Sequence, residues 1–335
     1  MSLDIENNIR RIDWHIDPVN LYKPIEYTLD SGGKRLRPML VAIACEMFGK
    51  SSEAVENAAV AIEIFHNFTL LHDDLMDDSP TRRNKPTVHV KWNANTAILS
   101  GDAMLIKAYE FLAKIPEKYW AKVLPVFTQT ALEVCEGQQF DMDFETKDNV
   151  TIDEYFRMIR LKTAVLLACS LKTGAIIADA SERDQRLIYD LGIAIGMAFQ
   201  LKDDYLDTYG TFETLGKRIG DDILCRKKTF LLLTALNNAD GNQREHLRTI
   251  LNSTSIADDR KIAEVTEIYN RLNVAKICEE EINRYYCEAG KLLAEISVAD
   301  EAKTDIRNLI NKLKIRENTP NKGHTDDYPI QILLV

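Results

Sequence analysis

Apolar positions recur three and four apart through most of the chain, the spacing of one buried face on an α-helix. The stretch "KPIEYTLD" leads to a Gly32-Gly33 break, and "RLRPMLVAIACEMFG" stops at Gly49. "SEAVENAAVAIEIFHNFTLLHDDLMDD" then reads as one long helix with Ser51 or Ser52 as N-cap. Ser79-Pro80 is its expected end, because proline cannot continue the turn. Further helices are predicted over about 93–113, 119–145, 152–179 and 183–209. A loop, "TFETLGKRIGDDILCRKK", precedes "TFLLLTALNNA". Segments 242–252, 258–273, 275–296 and 299–315 read as a closing amphipathic bundle. Strand-like alternation is nearly absent before the tail, 318–335, which turns from polar to apolar. A disordered end and a docked strand both fit that tail.

Composition agrees with the pattern. The 335 residues include only 14 Gly and 9 Pro, well below the roughly 12% of average usage, and 45% are hydrophobic, enough for a large core. The expected fold is all-α: a single helical domain over residues 1–317, followed by the tail. The net charge of −10 argues against nucleic acid as the main partner, since phosphate backbones call for a broad basic surface. Six cysteines show neither CxxC nor zinc spacing and read as reduced packing residues. "MSLDIENNIRRIDW" lacks the apolar core of a secretory signal. The best apolar run, 163–178, is broken by Lys172, so no transmembrane span is expected. A soluble, cytoplasmic protein is the expectation.

The chemistry lies in an internal echo. "LLHDDLMD" at 70–77 and "QLKDDYLD" at 200–207 each set D-D-x-x-D at the end of an apolar helix. With about 100° per residue, Asp73 and Asp77 lie nearly above one another with Asp74 beside them, and Asp203, Asp207 and Asp204 repeat the arrangement. Carboxylates at i and i+4 repel, and negative charge at a helix C-terminus opposes the macrodipole. A divalent cation compensates: Mg²⁺ takes one or two carboxylates and completes its shell with water and phosphate oxygens. A solvated acidic helix end would explain one copy. A metal-bridged diphosphate between two facing helices explains both. The cations fit the same picture: Lys34, Arg35 and Arg37 in "GGKRLRP", Arg82 and Arg83 after the first acid cluster, Lys162 in "LKTAVLL", and Lys217, Arg218, Lys227 and Lys228 in the second cluster's loop. Arginine suits bidentate phosphate recognition, and lysine serves as a point charge.

These motifs resemble the trans-isoprenyl diphosphate synthases, the polyprenyl synthetase family. "GGKRLRP", "HNFTLLHDDLMDDSPTRRNKPTVH", "GD" at 101–102, "LKTA", "FQLKDDYLD" and "GKRIGDDILCRKKT" all stand in the family's order, and the resemblance covers about residues 20–310. It implies an isoprenoid-synthase helical bundle around a deep central cavity, working as a homodimer. The implied reaction joins isopentenyl diphosphate head-to-tail to an allylic diphosphate, with three Mg²⁺ per active site. Carried over, Asp73, Asp74 and Asp77 bind metal on the allylic diphosphate, with Asp203, Asp204 and Asp207 as the opposing acid set. Arg82, Lys162 and Lys227 contact that diphosphate. Lys34, Arg37, His66 and Arg83 hold isopentenyl diphosphate, and Lys217 joins the substrate-binding set. Thr163 and Gln200 lie near the developing allylic cation. The released diphosphate serves as the base. Three positions depart from the family pattern: Asn84 and Arg226 where Gly is usual, and Leu231 for a frequent Pro. The run Arg226-Lys227-Lys228 leaves the diphosphate lysine open between Lys227 and Lys228.

Product length is read beside the first motif. Phe68 stands five residues before Asp73 and Thr69 four, roughly 6–8 Å along the helix at about 1.5 Å per residue. In the family a bulky residue at the fifth position closes the cavity, with Phe65 about a turn further down. With no insertion in the first motif, this resembles synthases that stop at twenty carbons, geranylgeranyl diphosphate; farnesyl diphosphate and then long-chain products come next. Ordinary core packing would explain Phe68 and Phe65 without any length limit. Other classes stay in play: a noncatalytic partner subunit would lose acids or cations that this chain keeps, a terpene cyclase would not require "GGKRLRP", and an HD-type phosphohydrolase lacks its remaining histidines here. His72 and His89 read as supporting or core residues.

Overall fold

A computed structural model describes residues 4–211 and 219–315. The described residues are mostly helical: α1 (Ile5–Arg10), α2 (Val19–Leu29), α3 (Leu36–Met47), α4 (Glu56–Met76), α5 (Val88–Lys91), α6 (Ala94–Leu112), α7 (Trp120–Thr146), α8 (Ile152–Ile159), α9 (Val165–Ile177) and α10 (Glu182–Tyr209). After these come α11 (Asp221–Leu224), α12 (Phe230–Asn238), α13 (Gly241–Asn252), α14 (Asp258–Arg271), α15 (Val274–Glu295) and α16 (Thr304–Ile315). Starts follow the sequence chemistry. Asn93 and Ser181 accept from the third residue of α6 and α10, and capping boxes open α8 and α13.

The centre is α9. Every residue in it except Lys172 is buried, the mark of a helix surrounded on all sides. It packs against α3, α7 and α10; α4 packs on α6, and α10 on α15. Each buried Leu, Ile or Val there contributes about 1.5–3 kcal/mol. Lys172 lies with its ammonium over the Tyr189 ring, 5.2 Å from the centroid. No described helix is long and apolar enough to cross a membrane.

Three local departures from the predicted pattern shape the site. Ser51 caps a 3₁₀ turn, Ser52–Val55, so α4 starts at Glu56. It ends at Met76, ahead of Ser79-Pro80, because Asp78 adopts a left-handed conformation (φ 48°). The helix predicted over 152–179 is interrupted by a π-helical turn, Arg160–Ala164. A short hairpin follows α4, with Thr81 paired to Pro86 and Arg82 to Lys85. Its corner is Arg83-Asn84, both at positive φ, the backbone of a two-residue hairpin turn. Asparagine tolerates that conformation better than most side chains, which is how Asn84 stands in for the usual glycine. Arg226, the second departure from Gly, is also left-handed (φ 56°).

Candidate functional site

The buried stripe of α4 (Ala58, Ile62, Phe65 and Leu71 among others) fixes that helix in the core, and so fixes which way its terminal acids face. Asp74 is buried, and its Oδ1 accepts from Arg82 Nε at 2.6 Å. Burial pushes Asp74 up to about 6 against the pull of Arg82. Asp73 Oδ2 lies 3.6 Å from Arg82 Nη2, and its Oδ1 is 3.1 Å from Lys162 Nζ. Asp77 caps the helix, its N–H still bonded to the Asp73 carbonyl at 2.9 Å. Burial and then the Asp73 charge raise its pKa. The hairpin therefore delivers Arg82 to the acids.

Lys162 rides on the π turn, a feature that recurs at functional sites. A close approach by α7 sets its place: a Cβ on Gly137 would stand 2.2 Å from the Lys162 backbone N. Lys162 Nζ donates to Asp141 Oδ2 at 2.6 Å, and Lys227 Nζ reaches the same oxygen at 4.0 Å. Burial pulls Lys227 down, but Asp141, Asp222, Asp73 and Asp77 outweigh it and raise its pKa. Lys228 is lowered by burial and by Arg226, with Asp148 as its acid. Lys227, not Lys228, thus faces the acid set. Asp141 was not singled out in the sequence, because one acid within "QFDMDFE" carries no spacing signal; it joins the two lysines. Asp222 was also missed.

The second acid motif is held differently. Asp204 Oδ2 accepts from Tyr155 Oη at 2.7 Å and Oδ1 from Gln200 Nε2 at 2.8 Å. Thr163 Oγ1 donates to Gln200 Oε1 at 2.9 Å. Burial, then the Asp222 charge, pushes Asp204 up to about 7. Asp207 is fully buried and accepts from the Asp222 backbone N–H at 3.0 Å. The Asp222 carbonyl in turn accepts from Lys227 N at 2.8 Å, so Asp207 anchors the loop that presents Lys227. Asp203 is half-buried. Lys217 lies outside the described residues, as does the tail.

A cation cluster lies to one side. Gly32 and Gly33 both have positive φ (74° and 136°), a backbone that favours glycine, and the Arg83 guanidinium end fills the space beside Gly33. Arg83 donates to the Gly32 carbonyl. His66 is held well below its ordinary pKa by burial, then by Arg37, Arg83, Arg82 and Arg35. It is therefore neutral and accepts from Arg37 Nη1 across 3.0 Å. Arg37 is lowered to about 10, chiefly by burial, and its buried Nε has no hydrogen-bond partner among the described residues. Lys34 is half-buried on the same loop. Arg35 turns inward to Glu6 (2.8 Å), Glu63 (2.7 Å) and the Leu29 carbonyl (2.7 Å). With Glu63 occupied by Arg35, Arg37 and Arg83 present net positive charge.

On the lower part of α4, rings meet in series, Phe127 edge-on to Phe65 (5.2 Å), Phe65 tilted against Phe68 (5.6 Å) and Phe68 edge-on to His72 (4.8 Å). Thr69 donates to the His66 carbonyl at 2.7 Å, and His72 Nε2 lies 3.2 Å from the Ile98 carbonyl. His89 stands 3.6 Å from Asp78, in a supporting place.

Among the described residues no three acids, histidines or cysteines converge as a closed metal cage. The donor set still fits a hard cation. Asp73 and Asp77 offer carboxylate oxygens one helical turn apart, close enough for the Asp73 charge to raise the Asp77 pKa, and Mg²⁺ needs only one or two carboxylates when phosphate oxygens complete its shell.

Residues 18–271 match the sequence profile of the family described as Polyprenyl synthetase. A geranylgeranyl diphosphate synthase of Methanosarcina mazei is 42% identical over 69% of this chain and 74% of its own. A crystal structure of a geranylgeranyl pyrophosphate synthase superposes with a TM-score of 0.88 at 44% identity, over 94% of this chain and 96% of the other. A geranylgeranyl pyrophosphate synthase from Corynebacterium glutamicum, complexed with isoprenyl diphosphate and magnesium, gives 0.85 at 27% identity, over 95% and 100%.

Proposed function

Because this chain belongs to the polyprenyl synthetase family, we propose that it joins isopentenyl diphosphate head-to-tail to an allylic diphosphate, with geranylgeranyl diphosphate as product. The observation that carries this reading is the chain of charge Asp73–Lys162–Asp141–Lys227, which runs from the first acid motif to the loop that Asp207 anchors.

Asp73, Asp77 and Asp203 would hold the divalent metal, with Asp74 engaged by Arg82. Mg²⁺ held there, three ions per site by family resemblance, would supply positive charge against the departing diphosphate. Arg82, Lys162 and Lys227 add fixed positive charge to that leaving group. Thr163 and Gln200 face the allylic carbon as it becomes cationic. Arg37, Arg83, Lys34 and neutral His66 hold the second diphosphate; the unpartnered Arg37 Nε is a donor ready for an anion. The apolar helices keep water from the cation. No side-chain base is assigned, because the released diphosphate accepts the proton. Phe68 and Phe65 are proposed to stop the growing chain, and two copies of the chain to form a homodimer.

Product analysis tests the reading. Purified protein is incubated with Mg²⁺, labelled isopentenyl diphosphate and, separately, the five-, ten- and fifteen-carbon allylic diphosphates. A twenty-carbon product is expected. A product of another length would keep the reaction and overturn the Phe68 floor. No product from folded protein with metal present would overturn the reaction itself.

A further inference from the structure

Gln200 can meet a cation with either end of its amide, and only the oxygen end helps. The two ends have nearly the same shape, so packing does not choose between them; hydrogen-bond chemistry does. The Tyr155 hydroxyl and the Gln200 amide both meet the Asp204 carboxyl group. It takes the Gln200 NH₂ group on Oδ1 (2.8 Å), which leaves Oε1 on the other side, where Thr163 donates to it (2.9 Å). Oε1 has a second lone pair free for a positive neighbour. Asp204 is itself pinned: its Oδ2 accepts from Tyr155 at 2.7 Å, and both residues are buried, Tyr155 at 1% exposure and Asp204 at 7%. Tyr155 comes from α8, across from α10.

We infer that Asp204 and Tyr155 are positioning residues that fix the Gln200 amide with its oxygen toward the allylic carbon. Each oxygen of the carboxyl group meets one protein donor, Gln200 on Oδ1 and Tyr155 on Oδ2. Asn at 204 would offer an NH₂ group as well as an oxygen, and Gln200 would be free to turn its own NH₂ toward the cation. This inference rests on the proposed prenyl transfer.

The experiment measures kcat, both KM values and the Mg²⁺ activation curve for wild type, Asp204→Asn, Tyr155→Phe, Gln200→Leu and the double variant Asp204→Asn/Gln200→Leu. Asp204→Asn is expected to lose kcat on the order of 10- to 100-fold, with KM and the Mg²⁺ midpoint within about twofold. Tyr155→Phe should lose less, in the same pattern. The double variant should be no slower than Gln200→Leu alone, because residues acting through one group are not additive. Calorimetric titration of Mg²⁺ with inorganic diphosphate should be the same for wild type and Asp204→Asn. A raised Mg²⁺ midpoint or weakened titration in Asp204→Asn makes Asp204 a ligand and overturns the inference. So does a double variant much slower than Gln200→Leu. If Asp204→Asn does not fold, Tyr155→Phe decides alone, and unchanged kcat there overturns it. An inactive wild type refutes the proposed reaction instead, which separates the two failures.

Discussion

Arg35 stands between two residues proposed to hold substrate, yet its guanidinium is spent inside the protein. It adopts a left-handed conformation (φ 45°) at the start of α3 and ties Glu6 of α1 to Glu63 of α4. Glu63 is 2% exposed. Arg35→Ala would strand that carboxylate, a loss of about 3–5 kcal/mol for a broken buried pair. The denaturation midpoint should fall accordingly. Where the variant still folds, KM for isopentenyl diphosphate should rise, because Glu63 would then draw on Arg37 and Arg83. A near wild-type midpoint would refute the structural role. Phe68 makes a different kind of prediction. Its ring is braced by Phe65 and His72 and is 9% exposed, so truncation opens space rather than letting neighbours swing in. Phe68→Ala should lengthen the product by one or more five-carbon units, read by chromatography. An unchanged product would leave Phe68 as core packing only.

At the scale of elements, the ends of α10 carry its two duties. Its C-terminal end bears the second acid motif, and its N-terminal end is fastened by Asp184, whose Oδ1 accepts from Ser297 N at 2.9 Å and Oδ2 from the Ser181 hydroxyl at 2.8 Å. Burial raises the Asp184 pKa, but those donors outweigh it and the net shift is downward. A depressed carboxylate pKa contributes stability above the unfolded value of about 3.9, and the contribution is lost as pH falls through the folded value. Asp184→Asn should therefore cost about 1.5–3 kcal/mol near neutral pH, as for hydrogen bonds to a charged group. The gap between the two urea midpoints should close as pH drops below about 4. A gap of constant size down to pH 3 would show that charge is not its source. The long elements were legible because apolar spacing over many turns averages out local noise. The short ones were not. Two-residue strands at Thr81–Arg82 and Lys85–Pro86 fall below any periodic window, and the π turn at Lys162 has the composition of the helices around it. The acid motifs showed in the sequence because they repeat. Asp141, Asp222 and Tyr155 did not, because each acts through a contact with a residue far along the chain.

For the whole molecule, the question is what covers the apolar face formed by α6 and α7. The two helices lie together: Tyr109 and Phe127 meet edge to face at 5.2 Å, and Tyr109 Oη donates to Thr128 at 3.2 Å. Outward from them stand Ile98, Leu99 and Ile106 on α6, and Trp120, Leu124, Leu132 and Met142 on α7, each more than a third exposed. Scattered apolar side chains are ordinary on a surface, and a contiguous set on two adjacent helices would suit the dimer contact proposed above. The proposed homodimer would bury them. A stable dimer hides about 800 Å² per partner, an area that two long helix faces can supply. The face also borders the site, since the Ile98 carbonyl lies beside His72, which braces Phe68. Replacing Leu99 and Ile106 together by Glu places charge at the centre of the face while leaving the core residues Met104 and Ala108 untouched. Light scattering should give twice the chain mass for wild type and the single-chain mass for the double variant, with helical content unchanged. A wild type that scatters as one chain at micromolar concentration would remove the dimer.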